Sequence, residues 1–200
     1  MDLSALTEAV MGRLFVELEA SGRHVHVTAQ QAQQLFGHGL TPKRPLSQPG
    51  QYLANERVTV IGPKGEFQNV AVLGPERPEA QVEISLTDGR SLGITPPVRP
   101  SGQVENTPGI TLKTDRAQVQ LPRGVIAAQR HIHVHPSDAS RLGVTDKQLV
   151  RLQTYTDRPV TFEKLLVRVS ADFATRVHLD YDEANACGFQ PGDLGRILHE

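Results

Sequence analysis

Apolar and polar positions alternate with a period of two along most of this chain, and fall into helical spacing only in brief stretches. At the N-terminus, Leu3, Leu6, Val10 and Leu14 follow helical spacing behind Asp2 as a cap. The pattern predicts an amphipathic helix over residues 2–12, ended by Gly12. From Phe15 the period changes: Val16, Leu18 and Ala20 alternate with Glu17, Glu19 and Ser21, which predicts a strand. A short helix is expected over residues 29–36 behind Thr28, and the Pro-rich stretch 40–51 reads as a loop. Strands are then predicted at 57–61, 67–73, 81–85, 110–112, 118–121, 125–134, 149–153 and 165–170. Gly62-Pro63-Lys64-Gly65 turns the first two of these into a hairpin. Residues 96–108 read as a loop, and short helical caps are expected after His135 and Asp180. Such a chain is mainly β, of barrel or sandwich type.

Composition narrows the class. Hydrophobic residues make up 38% and charged residues 22%, as in a soluble globular protein. The 14 Pro and 17 Gly favour short strands and turns over long helices. A net charge of −1 gives no global field for nucleic acid, and no apolar run reaches the roughly 20 residues of a membrane span. No nucleic-acid or membrane partner is expected. With Cys187 as the single cysteine, no intramolecular disulfide can form. The N-terminus lacks the pattern of a secretory signal, so a cytoplasmic protein is expected.

An internal repeat organises the chain. Arg23-His-Val-His-Val-Thr, followed by a helical stretch, recurs as Arg130-His-Ile-His-Val-His. Downstream, Val82-Glu-Ile-Ser-Leu-Thr-Asp-Gly aligns with Val177-His-Leu-Asp-Tyr-Asp-Glu-Ala, which sets Glu83 opposite His178. A duplicated barrel unit explains this order. The resulting division is an N-terminal helix (1–14), a first repeat (15–122) and a second (123–200).

The repeat carries the candidate chemistry. In a strand, residues i and i+2 share a face roughly 6.5–7 Å apart. His24 and His26 can therefore meet one metal ion, and His131 and His133 another. Neutral imidazole suits Zn²⁺ and related transition metals, and a catalytic site needs a third protein ligand. Glu83 and His178 occupy equivalent places in the repeat and are the natural candidates for third donor, and spacing alone leaves open which ion each serves. A single His-x-His is commonly a solvated pair; two copies, each with a matched downstream donor, favour ligation. His135 reads as a cap or surface residue, His38 and His199 as solvated, and Cys187 as a small core residue. Arg23 and Arg130 point to the opposite strand face from the histidines, which suggests a structural role. Arg77, in a turn ahead of Glu83, reads by itself as a solvated loop cation before it reads as a grip for phosphate.

With these motifs the chain resembles the PduL-type phosphotransacylases, also called phosphate propanoyltransferases. The likeness rests on Ser21-Gly-Arg-His-Val-His-Val, Leu46-Ser-Gln-Pro-Gly-Gln, Val70-Ala-Val-Leu-Gly-Pro-Glu-Arg, Gln81-Val-Glu-Ile-Ser, Pro108-Gly-Ile-Thr-Leu and Gly124-Val-Ile-Ala-Ala-Gln-Arg-His-Ile-His. Val177-His-Leu-Asp and Asp182-Glu-Ala-Asn extend it, so that residues 16–200 are covered. The resemblance implies two β-barrel domains with partial exchange of strands, capped by short helices. It implies two zinc ions held by His24, His26, Glu83, His131, His133 and His178, and a phosphate-handling Arg77. It implies transfer of a propanoyl or acetyl group between coenzyme A and phosphate, in the cytoplasm or in the lumen of a bacterial microcompartment, and a homodimer. Gly22, His135-Pro136 and Arg44-Pro45 depart from the family pattern, and none is a proposed ligand.

Lys43, Arg44 and Lys64 are candidates for the phosphates of coenzyme A. Two other readings stay open: a dinuclear zinc hydrolase acting on a thioester or phosphate ester, and a catalytically silent metal-binding module. Residues 1–14 are either an encapsulation peptide that contacts a microcompartment shell or a helix packed on the fold or on a second subunit.

Overall fold

The structure is a computed structural model in which residues 2, 10, 12 and 14–199 are described. The helix expected over residues 2–12 falls mainly outside the described residues. The chain forms β1 (Val16–Ser21), β2 (His24–His26), α1 (Ala29–Phe36), β3 (Pro42–Pro45), β4 (Tyr52–Ile61) and β5 (Glu66–Gly74). Next come β6 (Gln81–Glu83), α2 (Leu86–Leu92), β7 (Val98–Arg99), β8 (Ile110–Lys113), β9 (Gln118–Leu121) and β10 (Val125–Ala128). The last part comprises β11 (His131–Val134), α3 (Pro136–Leu142), β12 (Leu149–Tyr155), β13 (Thr161–Val169), β14 (Arg176–Asp180), α4 (Tyr181–Cys187) and β15 (Leu194–Leu198).

Internal contacts divide the chain into two units: Gly22–Gln129, and β1 together with everything from Arg130 onward. The second of these is a closed barrel of order β1-β14-β11-β13-β12-β15, in which β15 pairs antiparallel with β1. The unit Gly22–Gln129 is a nine-stranded sheet of order β7-β10-β6-β2-β5-β4-β8-β9, with β3 paired to β4. The mainly β fold, the short helices and the exchange of strands agree with the expectation. The exchange is reciprocal in form. β1 and β10 each lead into a histidine strand, and each pairs in parallel with the downstream strand of the other repeat: β1 with β14, and β10 with β6. A division along the sequence at residues 122 and 123 therefore differs from the division by packing, which falls at 21/22 and 129/130.

Each unit has its own core. Val25, Val58, Val72 and Leu112 are buried in the sheet unit, and Ile132, Leu152, Leu165 and Leu179 in the barrel. Burying side chains of this size contributes about 1.5–3 kcal/mol each. Val25 lies between His24 and His26, and Ile132 between His131 and His133, so the central apolar residue anchors each strand while the imidazoles take the other face. α1 ends at Gly37, with φ of 84°, and starts with a capping box in which Thr28 accepts from the Gln31 N–H.

Three local expectations differ. The Pro-rich stretch 40–51 contains β3, an exposed strand that among the described residues pairs only with β4; Pro42 and Pro45 have no N–H to offer a further neighbour. The single strand expected over 125–134 is two strands, because the chain leaves one unit for the other between them. The loop 96–108 holds the short β7, parallel to β10.

Candidate metal centres

Register builds the first centre. β2 and β6 are antiparallel, with His24 opposite Glu83 and His26 opposite Gln81. The His24 and His26 rings stand 5.0 Å apart at 90°. One donor atom from each of His24, His26 and Glu83 lies within 4.8 Å of the others, and all three residues are buried. Nδ1 of His24 is 2.8 Å from the Gly22 carbonyl and Nδ1 of His26 is 3.2 Å from the Leu73 carbonyl. A carbonyl only accepts, so Nδ1 carries the proton in each and the Nε2 lone pair is free to ligate.

The electrostatics suit a cation. Burial, with the charges of His24 and Arg77, holds His26 well below the usual imidazole range. Burial also opposes protonation of His24, but the Glu83 carboxylate and the Gly22 carbonyl outweigh it and raise its pKa. For Glu83, burial alone would favour the neutral acid; the two imidazoles and Ser101 reverse that and hold it well below the carboxylate range. The Glu83 carboxylate accepts from Gln81 Nε2 at 2.5 Å and from Ser101 Oγ at 3.0 Å. Ser101 in turn accepts from Arg77 Nη1 at 3.3 Å, so a hydroxyl links the arginine to the Glu83 carboxylate.

The second centre repeats the plan with an imidazole in place of the carboxylate. β11 and β14 are antiparallel, with His131 opposite His178. Ring centroids of His131, His133 and His178 form a triangle with sides of 4.7, 5.0 and 4.8 Å. Their donor nitrogens also lie within 4.8 Å of one another. Phe173 stacks on His133 at 4.1 Å, and Glu19 Oε2 from β1 lies 3.2 Å from His178 Nε2. The question that spacing left open is resolved as grouping: Glu83 stands with His24 and His26, and His178 with His131 and His133.

Other singled-out residues fall as follows. Arg77 is half-buried beside the first centre, its N–H bonded to the Val27 carbonyl. Lys43 and Arg44 are exposed on β3, and Lys64 is exposed on the β4–β5 turn against Gly93. Among the described residues, none of these three side chains bonds to His24, His26 or Glu83. His135 caps α3, accepting from the Ser137 N–H, and His38 and His199 are exposed. Cys187 is a buried core residue whose thiol pKa is raised by burial. Gln81, Ser101 and Glu19 were missed by sequence reasoning. Gln81 had a signal, an amide two residues before Glu83 on the same strand face; Ser101 comes from a loop and had none.

The model of a family described as phosphate propanoyltransferase matches residues 17–190. The chain belongs to the phosphate propanoyltransferase family. A phosphate propanoyltransferase of Clostridioides difficile is 48% identical over 98% of this chain and 97% of its own. One of Enterococcus faecalis is 54% identical over 91% of this chain and 87% of its own, and one of Listeria monocytogenes 50% identical over 98% and 95%. As a phosphate propanoyltransferase family member, the chain is an acyltransferase. Its two donor sets, His₂Glu and His₃, have the composition of catalytic zinc sites with an open fourth position. In the first centre the buried imidazoles of His24 and His26, each with Nδ1 tied to a backbone carbonyl, fit that use. No helix among the described residues is long and apolar enough to cross a membrane.

Proposed function

We propose that this enzyme interconverts a short-chain acyl-CoA, propanoyl-CoA or acetyl-CoA, and phosphate with the acyl phosphate and CoA. One zinc ion would be held by His24, His26 and Glu83, and another by His131, His133 and His178. The observation that carries the reading is the pair of donor triads at equivalent register positions in a chain of this family. Bound there, zinc supplies Lewis acidity toward the thioester carbonyl and positive charge for a departing thiolate.

Arg77 binds the phosphate and offsets its charge, and Ser101 holds the guanidinium toward Glu83. A phosphate oxygen then attacks the carbonyl carbon, the C–S bond breaks, and CoA leaves with the electron pair. No protein nucleophile is needed; Cys187, the one thiol, is buried with its pKa raised. Lys43, Arg44 and Lys64 take the phosphates of CoA. The enzyme works as a homodimer, in the cytoplasm or in the lumen of a bacterial microcompartment, where residues 1–14 would contact the shell. A truncation lacking residues 1–14, followed by localisation, tests that contact.

The chemical test is thiol release from propanoyl-CoA and acetyl-CoA with and without phosphate, alongside elemental analysis. Phosphate-dependent release from protein carrying two zinc ions is the expected result. Release without phosphate identifies a hydrolase, and no release from zinc-loaded protein identifies a silent metal-binding module.

A further inference from the structure

Each histidine pair is preceded by an arginine, and each arginine meets an acid at the same place in its repeat. Arg23 donates to Asp88 through Nη2 at 2.7 Å and Nε at 3.1 Å. Arg130 donates to Glu183 through Nη1 at 2.9 Å. Asp88 and Glu183 are both the N3 residue of a capping box, on α2 and α4. Those helices begin just after the strands that carry Glu83 and His178. Each guanidinium also lies over a phenylalanine of the strand parallel to its histidine strand. Arg23 is 4.1 Å from the Phe67 ring on β5, and Arg130 is 5.4 Å from the Phe162 ring on β13.

A physical need explains the coincidence. The β2–β6 and β11–β14 ladders each align three residue pairs, so little backbone pairing sets the third donor against the histidines. The face opposite the donors is where a fastening can act without occupying the site, since Arg23 and Arg130 are one residue from the first histidine. A charge-assisted bond from that point to the first turn of the following helix holds both ends of the triad. Asp88 is buried, so its charge is stabilised by this partner more than a surface pair would be.

We propose that Arg23–Asp88 and Arg130–Glu183 are positioning pairs, each fixing the third donor of its metal centre against the histidine pair. The proposal rests on the two-zinc reading. Capping alone is a separate role, which Ser85 tests: it caps α2 from the other side of the same box, its Oγ accepting from the Asp88 N–H.

The test is zinc retention by the full chain against a competing chelator at mildly alkaline pH, with D88N, R130Q and S85A. The wild type should hold two ions. D88N and R130Q should each lose one ion roughly 10–100 times more readily. Cobalt substitution tells the centres apart, because His₂Glu and His₃ sites absorb differently. D88E should restore most of the retention, and S85A should keep both ions. If D88N does not fold, R23K replaces it: lysine keeps the charge, lacks the two-point grip, and should show the same loss. Wild type without zinc overturns the two-metal reading itself. Wild-type retention by the variants, or equal loss in S85A, overturns the positioning proposal and leaves that reading standing.

Discussion

His178 stands directly opposite His131 across the β11–β14 ladder, in the register position that Glu83 holds opposite His24 across β2–β6. The two centres are thus one design with a different third donor. An imidazole and a carboxylate both ligate zinc, but they differ in charge by one unit. Replacing Glu83 with His should convert the first centre to the composition of the second and keep zinc bound, with a changed cobalt spectrum. Replacing it with Ala should lower bound zinc from two ions to one by elemental analysis.

Arg77 reaches Ser101, which also donates to the Glu83 carboxylate. A hydrogen bond to a charged group contributes about 1.5–3 kcal/mol. R77A should therefore lower kcat/KM for phosphate by roughly 10–100-fold, as seen in steady-state kinetics with phosphate varied. R77K should recover part of it, since lysine keeps the charge and loses the fork. An unchanged phosphate dependence in R77A would remove the residue from the reaction.

Burial raises the Glu183 carboxyl from 4.5 to about 7, ahead of the opposing pull of Arg130, with Asp180 and Asp182 adding to the rise. The folded chain then holds this proton more tightly than the unfolded chain. The contribution to stability is complete below pH 4.5 and is lost as pH rises toward about 7. E183Q, which cannot ionise, should flatten the fall in stability across that range. Urea midpoints of both proteins at the two ends of the range check it.

Leu165 is fully buried in the barrel, whereas Leu149 is 54% exposed on the neighbouring strand. L165A should destabilise by about 2–5 kcal/mol through the lost contacts and the cavity. L149A should stay within about 0.5 kcal/mol. Chemical denaturation of the barrel unit within the full chain distinguishes the two.

Much of the fold was legible because its signals are local. The alternation of Val16, Leu18 and Ala20 marks β1, and Thr28 marks the start of α1, each within a few residues. Capping by His135 and burial of Cys187 followed from the same short-range patterns. The break between β10 and β11 was not legible, because the change of unit falls at Gln129-Arg130, where neither Gly nor Pro marks a turn. β3 was hidden by its prolines, which give no N–H to a ladder and so read as loop residues although the strand pairs with β4.

What the chain determined by itself is the direction of each histidine pair and the doubling of the pattern. Both follow from the two-residue period of an extended backbone and from residue order. Tertiary structure decided which third donor joins which pair. That choice depends on the hydrogen-bonded register between strands far apart in sequence, which brings Glu83 to His24 and His178 to His131. It also supplied Glu19, Gln81 and Ser101 around the centres, where proximity and burial, not spacing, give a carboxylate, an amide and a hydroxyl their roles.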